Sequence, residues 1–218
     1  MEIEIVSDVF EYNKEHAEVN RQLFSDCKVL VINILSSPGS GKTSLITQSI
    51  KRLSNFKIGV IEGDISSTFD AEKIRQYIND VVQINTGGTC HLNASMIEKA
   101  LKKIDVKNLD IIFIENVGNL ICPIGFDLGE DYKILLSSVS EGDDKPVKYP
   151  KGFIKSSAIL LNKIDLLAVS DFNYSFFENN VRQLNPQSPI MKMSCKTGEG
   201  LDNWISWITE KIKKQGNG

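Results

Sequence analysis

The chain has 218 residues, 41% of them hydrophobic and 24% charged, a composition that fits one globular α/β domain, or two small ones. A formal net charge of −3 argues against a broad nucleic-acid-binding face, and no apolar run is long enough to cross a bilayer. The acidic N-terminus does not have the form of a signal peptide, and four scattered cysteines without a CxxC pair read as free thiols in a reducing cytoplasm.

In chain order, the segment from about Val9 to Asp26 spreads Val9, Phe10, Ala17, Leu23 and Phe24 over a polar background and predicts an amphipathic helix. On this reading residues 1–27 are a leading helix packed on a domain of residues 28–218. KVLVINIL (28–35) is a continuous β-branched run, the pattern of a strand buried on both faces. KIGVIEGD (57–64), DIIFIEN (110–116), YKILLSSVS (132–140) and SSAILLNKID (156–165) repeat it; VVQIN (81–85) and PIMKMS (189–194) are weaker versions. Helix-period segments separate several of these runs. The expected fold is a three-layer α/β P-loop NTPase, with a mostly parallel central sheet flanked by helices and ligands at the carboxyl ends of the strands.

SSPGSGKTS (36–44) follows the first strand and opens a helix. Gly41, Lys42 and Thr43 match the end of the phosphate-loop pattern, while Ser36 stands where the first glycine is expected. Gly39 and Gly41 let backbone N–H groups face phosphate oxygens, with Pro38, Ser40 and Ser44 completing the loop. Lys42 can reach the β- and γ-phosphates, and the Thr43 hydroxyl can ligate Mg²⁺. A Gly-Ser turn before a helix is the bland alternative; strand, loop, lysine and helix in this order disfavour it.

Next comes EGDISSTFDAEK (62–73), where Asp64 is the first candidate to bind magnesium or position water. Asp70 is a second magnesium candidate, or equally the N-cap of the helix that follows. TGGTCHLNAS (86–95) puts Cys90 beside His91. If residues 90–104 form a helix, Cys90 falls on the apolar face with Leu92, Met96 and Ile97, and His91 is turned away by about 100°. Cys90 is then either a buried small hydrophobe or a metal ligand, and His91 either a solvated helix-start residue or a ligand. IIFIENVGNLICP (111–123) ends a strand with Glu115, able to hold magnesium through water. Gly118 follows, its N–H able to bond a γ-phosphate, and Cys122 lies four residues further on. Thiolate and imidazole ligands suit Zn²⁺ and, in another geometry, Ni²⁺. A two-fold dimer would double the three ligands. Asn119 stands after Gly118 where a water-orienting glutamine is usual, so weak intrinsic hydrolysis is expected, with Lys42, Asp64, Glu115 and Gly118 as the catalytic set.

LLNKIDLL (160–167) supplies Asn162, Lys163 and Asp165. Asp165 can accept from guanine N1–H and its exocyclic amine, a donor pair adenine does not offer. Lys163 has an apolar stem to lay on the base, and Asn162 can bond a ring nitrogen and pin the loop. In SCKTGEG (194–200), a backbone N–H near Cys195 can meet guanine O6, beside Ser194 and Lys196. Phosphate loop, Asn-Lys-x-Asp and Ser-x-Lys in this order indicate a guanine-nucleotide-binding domain.

SSPGSGKT, TGGTCHLNASM, ENVGNLICPIGFDLGE, SEGDDKPVKYP, LLNKIDLL and KTGEGLDNWI together resemble the HypB family, GTPase accessory proteins for nickel insertion into [NiFe]-hydrogenase, over nearly the whole chain. The resemblance implies a Ni²⁺ or Zn²⁺ site of Cys90, His91 and Cys122 near a homodimer interface promoted by GTP or metal. Implied partners are a HypA-like nickel metallochaperone and the hydrogenase large-subunit precursor, in some organisms urease. The N-terminal CxxCGC and His-rich stretches of some members are absent here, and Asn93 stands where an acidic residue is frequent. Three rivals remain. One is the urease GTPase UreG, whose metal motif is Cys-Pro-His. The second is a regulatory G-protein switch with structural Cys and His, and the third a zinc-stapled dimerisation module. SEGDDKPVKYP (140–150) has no assigned chemistry beyond a charged surface turn.

Overall fold

Each of the seven apolar runs becomes a strand in the computed structural model, which describes residues 5–65 and 69–216. The order is α1 (Ile5–Cys27), β1 (Leu30–Ser36), α2 (Lys42–Arg52), β2 (Ile58–Asp64), α3 (Phe69–Arg75), β3 (Val81–Asn85), α4 (Ala94–Leu101) and β4 (Ile111–Glu115). There follow β5 (Tyr132–Ser138), α5 (Lys145–Lys148), α6 (Pro150–Lys155), β6 (Ala158–Asn162), α7 (Tyr174–Leu184), β7 (Ile190–Lys192) and α8 (Leu201–Gly216). The strands form one sheet in the order β3-β2-β4-β1-β5-β6-β7, with every pair parallel. The two weakest sequence patterns are the two edges, β3 and β7, which keep exposed positions where β1, β4 and β6 are wholly buried.

Alternation along the inner strands divides the core into layers. Leu30, Ile32, Ile34, Ile111 and Phe113 pack with Leu45 and Ile46 of α2 and Trp204 of α8. Val31, Ile112 and Ile114 pack on the other face with Phe24 of α1 and Ile97 and Leu101 of α4. Each fully buried side chain of this size is worth about 1.5–3 kcal/mol over exposure. No helix among the described residues is long and apolar enough to cross a membrane.

Within the described residues the leading helix runs Ile5–Cys27, and Val9 and Phe10 on it are 48% and 44% exposed. Ala17 and Phe24 are buried as expected, but two buried asparagines also dock α1. Asn13 Oδ1 accepts the Ala94 N–H (2.9 Å) while its Nδ2 donates to Asp127 O (2.8 Å). Asn20 Nδ2 donates to Ala94 O (2.9 Å) and Leu128 O (3.0 Å). The helix lies over irregular backbone whose polar groups need partners, so polar side chains face inward.

The helix expected over 90–104 begins instead at Ala94. Asn93 is its N-cap, extended at φ −120° and ψ 166°, accepting the Met96 N–H. Cys90 and His91 therefore lie on a loop before the helix, and the helical-wheel separation between them does not apply.

Candidate functional site

The motif residues converge at the carboxyl edge of the sheet. The phosphate loop leaves β1 and enters α2 at Lys42. Gly39 and Gly41 take φ of +77° and +103°, and a Cβ on Gly41 would lie 2.5 Å from Asn162 Nδ2. Lys42 Nζ donates to Ser36 Oγ (3.0 Å), so the serine that stands at the expected glycine holds this lysine within the loop. Thr43 Oγ1 donates to Glu115 Oε1 (2.9 Å), joining the loop to the end of β4.

A cavity of about 270 Å³ lies over this loop, its lining including Pro38, Gly39, Lys42, Glu62, Asp64, Asp70, Glu115 and Gly118. Glu62 and Glu115 sit opposite one another in the β2–β4 register. Both are buried, at 2% and 3% exposure, and Oε2 of each has no hydrogen-bond partner among the described residues. Burial pushes the Glu62 carboxyl up to about 8, with the neighbouring acids Glu115, Asp64 and Asp70 adding to it. Burial likewise raises Glu115 to about 7, against the pull of Lys42 and the Thr43 hydrogen bond. Buried carboxylate oxygens left unpaired beside a hydroxyl and further acids fit a hard divalent cation such as Mg²⁺. Asp70 lies inside the first turn of α3, not at its N-cap, and pairs with Lys73 at 3.2 Å.

The base loops meet at a cavity of about 300 Å³ whose lining includes Gly41, Asn162, Lys163, Asp165, Cys195 and Lys196. Asn162 Nδ2 donates to Ser40 O (2.8 Å) and its Oδ1 accepts the Cys195 N–H (3.0 Å). This carboxamide pins two loops, as expected, and the second Nδ2 hydrogen is left for a ring nitrogen of the base. The Cys195 N–H that meets Asn162 lies at the edge of this pocket, where a backbone N–H near Cys195 is expected to meet guanine O6. Ser194 Oγ donates to Asp165 Oδ1 (2.6 Å), orienting the carboxylate that would read guanine. Burial pushes the Cys195 thiol up to about 12, as befits an inert filler. Lys163, at φ +61°, reaches Gly39 O (2.7 Å) and Ser140 Oγ (3.0 Å).

Cys90, His91 and Cys122 each offer a ligand atom within 4.8 Å of the others, and all three are half-buried. Cys90 Sγ and His91 Nδ1 are 3.9 Å apart. The His91 ring stacks on Phe126 with centroids 3.9 Å apart, and burial lowers its pKa, favouring the neutral imidazole a metal needs. A hydrogen bond with Cys90, then burial, pushes the Cys122 thiol up. Asn119 Oδ1 accepts the Ile121 N–H (2.8 Å), making the turn that presents Cys122. Soft thiolates with one imidazole suit Ni²⁺ or Zn²⁺. Gly118, four residues earlier, lies against the phosphate loop: a Cβ there would be 3.0 Å from Pro38 Cα.

A family model described as the CobW/HypB/UreG nucleotide-binding domain matches residues 30–192, three quarters of the chain. The chain belongs to the CobW/HypB/UreG family. Within that family its relatives include the hydrogenase maturation factor HypB of Escherichia coli K12, 46% identical over 207 residues, covering 94% of this chain and 71% of that protein. The hydrogenase/urease maturation factor HypB of Helicobacter hepaticus is 38% identical over 213 residues, covering 96% and 88%. Among solved structures, HypB from Helicobacter pylori in complex with nickel superposes with a TM-score of 0.89 at 36% identity, covering 93% of this chain and 96% of that one. The CobW/HypB/UreG fold thus accounts for the P-loop and base loops together.

Sequence reasoning passed over four residues of this site. Glu62 hides in an apolar strand, signalled only by being a charged residue in a run otherwise read as buried. Glu141 accepts from the Ser40 hydroxyl and the Ser138 N–H (3.3 Å), and Ser140 supports Lys163. Residues 140–150, read as a surface turn, therefore begin with the brace of the phosphate and base loops. Phe126 backs His91, and nothing in its spacing announces it.

Proposed function

We propose that the chain is a GTP-hydrolysing metallochaperone that couples the GTP/GDP cycle to nickel delivery during [NiFe]-hydrogenase maturation. The observation that carries this reading is the continuity of residues 115–122. One short segment begins with a carboxylate bonded to the phosphate-loop threonine, continues through Gly118 against that loop, and ends at Cys122 in the Cys-His-Cys cluster. Asp165, held by Ser194, accepts from guanine N1–H and its exocyclic amine. Lys42 leaves Ser36 for the β- and γ-phosphates, and the Gly118 N–H bonds the γ-phosphate. Thr43, Glu115 and Asp64, with Asp70 behind them, would hold Mg²⁺, which supplies charge neutralisation on the phosphate oxygens. Asn119 Oδ1 is engaged in its turn where a water-orienting glutamine is usual, which leaves Asp64 as the candidate to position water and supports slow unassisted turnover.

Loss of the γ-phosphate releases Gly118, the segment relaxes, and Cys122 changes its distance from Cys90 and His91. Nickel is the cargo, and three ligands per chain suit a site completed at a homodimer interface or on hand-over. A HypA-like metallochaperone and the hydrogenase large-subunit precursor, in the cytoplasm, are the partners this reading requires. Urease is a second client, favoured by the name of the Helicobacter hepaticus relative. The test is a nickel titration of the full chain with GDP and with a non-hydrolysable GTP analogue. Coupling predicts affinities that differ by roughly fivefold or more; equal affinities contradict it.

A further inference from the structure

The phosphate-sensing segment touches the metal loop through a side chain that is neither a ligand nor a nucleotide contact. Asn116, directly after Glu115, is 1% exposed. Its Oδ1 accepts two backbone N–H groups at once, Val117 at 3.0 Å and Leu92 at 3.2 Å. Val117 adjoins Gly118, and Leu92 adjoins His91. One acceptor atom therefore joins the γ-phosphate loop to the Cys90–His91 loop.

The same carboxamide opens a buried chain of hydrogen bonds. Asn116 Nδ2 donates to Asn33 Oδ1 (3.2 Å), and Asn33 Nδ2 donates to Glu130 Oε1 (2.9 Å). Glu130 Oε2 accepts the Leu128 N–H (2.7 Å), two residues beyond the Phe126 ring that backs His91. Leu92 also has an apolar anchor on the nucleotide side. It is wholly buried, and a Cβ on Gly63, between Glu62 and Asp64, would lie 2.7 Å from its side-chain carbons. The residue after His91 is thus clamped between the ends of β2 and β4, the two strands that carry the acids of the phosphate site.

We infer that Asn116 is the positioning residue that carries the nucleotide state to Cys90 and His91. The inference rests on the coupling proposed above and deepens it, because two of the three ligands then respond through Leu92 while Cys122 responds directly. A peptide rotation at 116–117 on loss of the γ-phosphate changes the direction of Oδ1, and both N–H partners cannot follow it. Buried polar groups are costly to leave unpaired, so the Leu92 backbone must adjust with it.

A merely structural carboxamide would shift stability and both nickel affinities together and leave their ratio alone. The discriminating readout is therefore the ratio of Ni²⁺ affinities with GDP and with the non-hydrolysable GTP analogue, in wild type and in Asn116→Ala. The expected result is a wild-type ratio of roughly five or more that falls to within about twofold of one in the variant. A variant that keeps the wild-type ratio overturns the inference while leaving the proposed coupling in place. A wild-type ratio of one removes the coupling itself and this inference with it. Should Asn116→Ala fail to fold, amide hydrogen exchange of residues 86–95 in the wild type decides. Protection at Leu92 must differ between the two nucleotide states, and identical protection overturns the inference.

Discussion

The nucleotide pocket and the metal cluster are neighbours built on opposite terms. The phosphate loop, the 138–141 turn and the two base loops are tied to one another: Asn162 to Ser40 and Cys195, Lys163 to Gly39 and Ser140, Ser40 to Glu141, Gln48 to the Cys195 carbonyl. The candidate ligands Cys90, His91 and Cys122 stand half-buried, with a long Sγ···Nδ1 contact, a Cys90–Cys122 hydrogen bond and an aromatic ring behind the histidine. A pocket that meets the same ligand in each cycle gains from preorganisation, since little is reordered on binding. A site that must release its cargo gains from ligands whose spacing follows a neighbouring segment. The contrast is what the proposed coupling predicts: a tied pocket setting the geometry of a looser cluster through residues 115–122.

The strongest challenge to this contrast is Lys42→Ala. Loss of one preorganised phosphate contact should lower kcat/KM for GTP by about 10²–10³-fold. Nickel affinity of the nucleotide-free protein should stay within about threefold, measured by titration; a parallel loss would show that the two regions are not separable. Asp165→Ala should weaken GTP binding by roughly 10- to 100-fold, because hydrogen bonds to a charged group are worth about 1.5–3 kcal/mol. Fluorescence titration with a labelled GTP measures this loss, and a nickel titration of the nucleotide-free variant should find nickel affinity unaltered. Cys122→Ala works from the other side, lowering nickel affinity by about tenfold or more and abolishing any response of GTP turnover to Ni²⁺. Unchanged nickel affinity in this variant would remove Cys122 from the site.

A smaller effect sharpens the account of the acids. Glu62 titrates near 8 in the folded chain, above its ordinary 4.5, so the fold favours its neutral form. The stability it contributes is complete below about pH 4.5 and is lost as pH rises through 8. Glu62→Gln, neutral throughout, should therefore raise the melting temperature of the magnesium- and nucleotide-free protein by a few degrees at pH 9, and hardly at all at pH 5. A pH-independent difference would contradict the burial of an unpaired carboxyl. Smallest of all, Asn93→Ala should cost about 1 kcal/mol of stability by uncapping α4. Chemical denaturation measures it.

Much of this was legible in the chain itself. The parallel sheet followed from β-branched runs, and the base and phosphate loops from short motifs whose residues are adjacent in sequence. What escaped was the polar interior. Glu141 braces a serine 101 positions away, and Asn116 and Asn33 pair across 83. Periodicity registers apolar faces, whereas a buried carboxamide is explained only by partners that tertiary folding brings to it. The same limit misplaced the start of α4, because Asn93 caps the helix in concert with Asn13 on α1. It also hid the inward asparagines of the leading helix.

The most direct test is a crystal structure of the full chain with a non-hydrolysable GTP analogue and Ni²⁺. Coupling through residues 115–122 predicts the Gly118 N–H on the γ-phosphate, with Cys90 Sγ, a His91 ring nitrogen and Cys122 Sγ all within about 2.0–2.4 Å of the metal. Gly118 on the phosphate with nickel bound elsewhere, or bound without Cys122, would contradict it.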